Sequence, residues 1–373
     1  MGGLLNVVGK NVKATFGIVD DSEKDPQFIA KLNKYCTTHN IAGQSIAKWF
    51  NLSASKTDGS YFNMDLIQER GAYNASELDI LRSKESIRGE AILKDAGMDL
   101  IPNTFTVFIR LHYMTQAEWD IMMAKRYEES AKSAENRAAK ATGEERNRLL
   151  DNANIDRKHA SELRKAASSD KGYYVSATTY LYQLEWDEND VNNFLSNYYY
   201  SDNPQTVINS GIYKMKYIDK ANSQEFLTGV SSDEMQIYIL KLVTYWAIDK
   251  SFIKLQKEYE DFAVKTPIIN VENGIATVFI GTKEGITPKS KFEVLQLKYN
   301  EKKGVYRYVR VGKLSVEKKK IWDNMYSSGY DDRIEERIIE EEDTYKGDKM
   351  LDRTYLKGAS SSIAPGMIVR QIK

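Results

Sequence analysis

The chain has 373 residues, enough for two domains, and sets 53 Lys and Arg against 53 Asp and Glu. Zero net charge argues against a general nucleic-acid or polybasic membrane binder, and a lone cysteine excludes an internal disulfide or a thiolate metal cluster. No stretch reaches the roughly 18–20 apolar residues of a membrane helix, and Met1-Gly2-Gly3-Leu4-Leu5 lacks the basic start and apolar run of a signal peptide.

The N-terminal third reads as mixed α and β. Val12 to Val19 has the pattern of a strand, stopped by Asp20-Asp21-Ser22. A helix follows over Phe28 to Thr38, with Phe28, Ile29, Leu32 and Tyr35 on one face, and the helical period continues from Ile41 to Phe50. A helix start is expected near Ser76, and another helix over Glu85 to Ala96, closed by Gly97. Phe105 to Tyr113, dense in β-branched and aromatic residues, is a strand.

From Thr115 to about Ala167 the chain turns rich in Ala, Glu, Lys and Arg and lacks proline, the profile of long exposed helices. Thr115-Gln-Ala-Glu118 and Thr142-Gly-Glu-Glu145 both have capping-box spacing, so two antiparallel helices turning near Gly143 are expected. Leu149, Ala153, Ala160, Leu163 and Ala167 give the second helix a thin apolar seam. This hairpin, 115–168, is either a solvated insertion or a partner-binding arm.

Strands resume over Tyr173 to Trp186 and Ile212 to Ile218. Ser231-Ser-Asp-Glu234 is a third capping box, opening the longest helix. It is expected to run to about Ala263 and to bury Ile237, Leu240, Tyr245, Ile248, Phe252, Leu255, Tyr259 and Phe262 on one face. Pro267 marks a boundary into a β-rich section with strands over Ile275 to Ile280, Phe292 to Tyr299, Tyr306 to Val311 and Met367 to Ile372. Gly281 and Gly285 frame a tight turn. The polar segment 318–362 reads as an insertion, with a solvated acidic run at Glu335 to Asp343. The fold class is therefore α+β: a mixed α/β sheet domain over about 10–264 with the inserted helical hairpin, then a small β domain over 267–373.

Signatures of chemistry are absent from the sequence: no phosphate loop, dinucleotide fingerprint, zinc helix or nucleophile elbow. Cys36 and His39 stand one helical turn apart, the spacing of an incidental pair more than of a catalytic dyad. His39, His112 and His159 lie on three remote elements, which opposes a three-histidine metal site. Asp187-Glu-Asn189-Asp-Val191 begins like a calcium loop, but Asn192 and Tyr198 stand where such a loop needs Gly and Glu, so it reads as a strand-end turn. Tyrosine clusters at Tyr173-Tyr174, Tyr180/Tyr182 and Tyr198-Tyr199-Tyr200 fit either edge-of-core packing or an exposed contact surface. No residue is assigned a catalytic, cofactor-binding or metal-ligating role, and no cofactor is expected.

Two segments carry a resemblance. Phe62-Asn-Met-Asp-Leu-Ile-Gln-Glu-Arg70 followed by Leu93-Lys-Asp-Ala-Gly-Met-Asp-Leu-Ile101, with the long helix from Ser231, resembles the α/β domain of the curli-secretion lipoprotein family. There a strand ends near a Glu-Arg pair, matched here by Glu69 and Arg70. Gly274 to Val294, with Val311-Gly-Lys-Leu and Ile363-Ala-Pro-Gly-Met-Ile-Val, resembles the small C-terminal β-barrel of the flagellar periplasmic T-ring protein, which implies a small SH3-like β-barrel over 267–373. The resemblance implies a non-catalytic protein of the periplasm or cell envelope, its signal peptide removed, that associates with a protein partner or with itself. Cys36 is too far inside the chain for a lipid anchor, and the charged hairpin replaces any pore-forming strands. A carboxylate-based glycan-active hydrolase is the alternative function, and the cytoplasm the alternative location.

Overall fold

The computed structural model describes residues 25–52, 55–56, 59–71, 93–94, 96–167, 172–228, 233–300, 305–324, 347–348 and 350–372. The strand at 12–19, the helix start near Ser76, most of the helix at 85–96, the Ser231 cap and the acidic run at 335–343 lie outside the described residues. Two compact units are present. One holds Ile109–Thr178 and Asn222–Ser251; the other holds Lys24–Phe108, Thr179–Ala221 and Phe252–Lys373.

The class is α+β, as expected. Helices α1 (Asp25–Thr38), α2 (Ile41–Trp49) and α3 (Met64–Gly71) precede β1 (Phe105–Thr115). Then come α4 (Gln116–Ala138), α5 (Gly143–Ala166), β2 (Gly172–Leu184), α6 (Glu188–Asn197), α7 (Gln205–Asn209), β3 (Met215–Thr228) and α8 (Asp233–Glu258). Among the described residues β1, β2 and β3 form a three-stranded sheet in that order. Leu184 N–H donates to Thr104 O and Glu185 N–H to Lys214 O, each at 2.9 Å. The end of β2 thus meets the starts of both neighbours, and the sheet is an antiparallel meander.

The central strand β2 is buried along most of its length. Its Tyr180 and Tyr182 enter an aromatic core with Phe50, Phe62, Phe194 and Trp186. Phe50 stacks on Phe194 at 4.6 Å, and Phe62 meets Phe194 edge-on at 5.1 Å. Such pairs add about 0.5–1.5 kcal/mol each beyond area burial.

The third strand corrects the expected span of 212–218: it begins at Met215 and runs to Thr228. Ile218 and Ala221 join the same cluster although three residues apart, which an alternating strand does not allow, so a bulge lies between them. Beyond it Ser223 is buried and donates to Ala247 O, and Leu227 packs against the cluster of Val175, Ala177 and Val243.

In the hairpin, the first capping box is present. Thr115 Oγ1 accepts from Glu118 N–H at 3.2 Å, and the Glu118 carboxylate accepts from Thr115 N–H at 2.9 Å. The second is not: Thr142 makes no side-chain cap. Gly143 enters the helix at φ 60°, which turns the backbone away from the path that brings a hydroxyl to the first-turn amides.

The expected one-face burial of the longest helix is also corrected. It stops at Glu258, and Ile237 (59% exposed) and Tyr245 (48%) face solvent, while Ile239, Leu242, Val243 and Ala247 are buried. Apolar residues surround this helix on most sides, so periodicity alone does not select a face.

The C-terminal strands are β4 (Lys265–Pro267), β5 (Asn270–Glu272), β6 (Ile275–Val278), β7 (Lys291–Asn300), β8 (Val305–Val316), β9 (Thr354–Lys357) and β10 (Ile368–Ile372). Among the described residues they form a curled seven-stranded sheet in the order β4-β10-β7-β8-β9-β6-β5, a half-barrel. Its two edge strands are consecutive pieces of one segment, separated only by Ile268 and Ile269, so the chain itself links the edges. The β9 strand lies inside the polar segment 318–362 and buries Thr354 and Leu356.

A satisfied polar network fastens the turn after β6. Glu284 accepts from Gly281 N–H and from the Asn324 side-chain amide, both at 2.7 Å, and Asn324 Oδ1 accepts from Lys283 N–H at 2.8 Å. Gly285 closes the turn at φ 71°, and a Cβ there would stand 2.5 Å from Ile253 Cγ2. Gly274 also has positive φ, 78°, but a Cβ would meet nothing nearer than 3.6 Å. Gly274→Ala should therefore cost about 1 kcal/mol for the left-handed backbone alone, and Gly285→Ala about 2–4 kcal/mol because overpacking adds to it. Urea denaturation of the two variants checks the difference; equal losses would refute the close approach.

Candidate functional site

The residues singled out by sequence are held in structural roles. Cys36 is buried on α1, and burial pushes its thiol pKa upward, opposite to what a nucleophile needs. His39 lies in the turn beyond α1 with its ring 4.2 Å from that of Tyr35, and no hydrogen bond among the described residues joins it to Cys36.

Arg70 lies in the last turn of α3, not at a strand end. Its guanidinium donates to Trp49 O at 2.5 Å and covers the Trp49 ring at 4.9 Å, so it staples α3 to α2. Glu69 is exposed. The calcium-like run is a helix start: Asp187 accepts from Asn189 and Asp190 N–H, and Asp190 accepts from Asp187 N–H at 3.0 Å. This capping box replaces the expected strand-end turn. Among the described residues no group of His, Cys, Asp and Glu has a metal-binding arrangement.

The tyrosines are largely core. Tyr180 and Tyr182 are fully buried, Tyr174, Tyr199 and Tyr213 are buried, and Tyr200 of the triple is exposed. The Tyr182 hydroxyl donates to Asn33 Oδ1 at 2.9 Å, which tethers β2 to α1. Burial raises the pKa of Tyr182 and of Tyr213.

Two features remain with surface to offer. The first is the hairpin. Ala124, Ala131 and Ala138 on α4, and Ala153 and Ala160 on α5, repeat at seven-residue spacing and are buried. Glu128 and Glu135 face Arg164 and Arg157 at the same spacing. Arg164 grips Glu128 through two separate nitrogen–oxygen contacts of 2.9 and 3.1 Å, and Arg157 reaches Glu135 at 2.6 Å. Hydrogen bonding to Arg164 lowers the Glu128 pKa. A shallow groove of about 320 Å³ runs along the hairpin, lined by Tyr127, His159, Glu162, Leu163 and Ala166.

The second is a cleft of about 450 Å³ against the half-barrel, lined by Lys257 and Glu258 at the end of α8, Thr287, Lys289 and Ser290, and Gln371 and Ile372 of β10. Thr287-Pro-Lys-Ser290 is a tight turn in which Ser290 N–H donates to Thr287 O at 2.9 Å and Thr287 N–H to Ser290 Oγ at 3.0 Å. Each of these two openings carries a single carboxylate, Glu162 or Glu258.

No family model matches this chain, and no curated protein matches it in sequence.

Sequence reasoning missed Lys257 and Lys289 because nothing in their neighbourhood forms a motif. Lysine near a helix C-terminus is ordinary, and only folding brings the 287–290 turn and β10 beside it. His39→Ala should leave the rate of Cys36 alkylation by iodoacetamide in the native protein unchanged, within about twofold, since the buried thiol has no imidazole activator. A tenfold fall in that variant would restore the dyad.

Proposed function

We propose that this protein is a non-catalytic scaffold or accessory protein acting by protein–protein association, with the helical hairpin as its contact arm. One observation carries the reading. Antiparallel neighbours such as β1 and β2 need only a short turn between them, yet here a self-closed pair of helices intervenes. Its alanine seam and Arg–Glu pairs are satisfied within the hairpin, which leaves the outward surface free for another purpose. That surface is charged and carries separate exposed apolar side chains, Ile121, Leu150 and Ile155. Location in the periplasm or cell envelope, and assembly into a larger structure there, rest on the resemblance of the two segments alone. No transmembrane helix is needed for this role, and among the described residues no helix is long and apolar enough to cross a membrane.

Replacing Gln116–Ser168 by a short turn tests the reading. The shortened chain should stay folded by circular dichroism and lose association, measured by sedimentation and by co-purification from envelope extracts. The double variant Leu150→Ser, Ile155→Asp should weaken association at least about tenfold with its thermal midpoint unchanged. Unfolding on deletion would make the hairpin core structure, and undiminished association would move the contact surface elsewhere.

A further inference from the structure

Several charges of the half-barrel segment are paired. Arg370 reaches Glu293 at 2.5 Å and Glu260 at 2.6 Å, and the Glu293 side chain is buried. Lys357 faces Glu317 at 3.6 Å, and Arg353 grips Asp352 at 2.5 Å. Lys257 has no such partner among the described residues. Its ammonium lies against the Gly285 turn, where a Cβ would stand 3.2 Å from Nζ, and the residue as a whole is exposed. Desolvation there lowers its pKa below the ordinary lysine value, with no opposing charge to restore it.

The cleft beside Lys257 supplies what an anion needs. Lys289 adds a second ammonium, and Thr287 and Ser290 add hydroxyls. Ser290 is itself buried; its oxygen accepts from Thr287 N–H, lies 3.4 Å from the Gln371 side-chain nitrogen and 3.4 Å from Thr287 Oγ1, and in that last contact either hydroxyl can donate. Gln371 Oε1 is buried without a hydrogen-bond partner among the described residues, which marks a place for a donor. Glu258 is exposed at the rim and pairs with neither lysine. The volume, about 450 Å³, lies within the range of small-ligand clefts, roughly 300–1,000 Å³.

We propose that the cleft between Lys257 and Lys289 binds an oxyanion, a phosphate or carboxylate, borne on a small molecule with a hydrogen-bond donor beside it. Lys257 and Lys289 hold the charge, Ser290 and Thr287 donate to its oxygens, and Gln371 accepts from the neighbouring donor. The site is independent of the hairpin and of the association reading.

The test follows the lysine ε-carbon signals of the full chain by NMR, assigned with Lys257→Arg and Lys289→Arg. Inorganic phosphate, acetate and glycerol 1-phosphate are titrated against sodium chloride of equal ionic strength. Phosphate or acetate should move the Lys257 and Lys289 signals together and saturably, whichever saturates at lower concentration identifying the preferred group. Lys257→Met should weaken that binding at least about tenfold, whereas Lys318→Met, in an exposed turn, should leave it unchanged. Gln371→Leu should keep phosphate binding and remove the advantage of glycerol 1-phosphate over phosphate. Shifts that follow ionic strength alone, or saturable binding that survives Lys257→Met, overturn the proposal. The titration of the unsubstituted protein decides the matter even if a variant fails to fold.

Discussion

Burial of both faces of β2 is the constraint from which most of the architecture follows. A strand with Tyr180 and Tyr182 on one face and Val175, Ala177 and Leu181 on the other cannot leave either side to water. On the tyrosine side, α1, α2 and α6 bring Phe50 and Phe194 into a ring-on-ring core, with Phe62 from the segment before α3. In the unit that holds its first half, Val175 and Ala177 pack with Ile239, Leu240, Val243 and Ala247 of α8. The neighbouring strands can be less apolar because among the described residues they are edges, and β3 accommodates Asn222 for that reason. Asn222 even spans β2's Ser176 and Thr178 through its side-chain amide, at 3.1 and 2.9 Å.

The hairpin obeys a different rule. Its seam is built of alanine, so each helix buries little area per residue, and close approach rather than bulk holds the pair together. Alanine permits several sliding registers. The two Arg–Glu pairs, at the same seven-residue step as the alanines, favour one of them. Charge here contributes specificity of register more than net stability, as expected for solvated pairs. The neutral total of 53 against 53 conceals an uneven spread, in which 21 of the 106 charged residues sit on this appendage of 54 residues.

The half-barrel relies on satisfied polar groups where glycine brings backbones together. A Cβ at Gly281 would stand 2.2 Å from Trp322 O, so only glycine admits the 321–324 segment against the turn. Once there, Asn324, Glu284 and Thr354 absorb the freed amides and carbonyls. Around the neighbouring cleft the compensation is incomplete: Gln371 Oε1 is buried without a partner among the described residues, and Lys257 has no ion pair there.

The sequence by itself determined the α+β class, the strands over 105–113 and 173–184, the paired helices of the hairpin and the β-rich character of the C-terminal section. These signals are local: alternation, seven-residue spacing and a Thr-x-x-Glu cap act within a few residues of one another. The capping role of Asp187 and Asp190 was not legible in the sequence. Only the tertiary structure decided which face of α8 is buried, because that helix is apolar on most sides, and where β3 runs, because a bulge interrupts its alternation. It alone separated Tyr200 from the buried tyrosines, turned Arg70 toward Trp49 and set Lys257 beside Lys289. Each of these depends on which distant segment arrives to cover a side chain, and residue spacing along one chain carries no record of that.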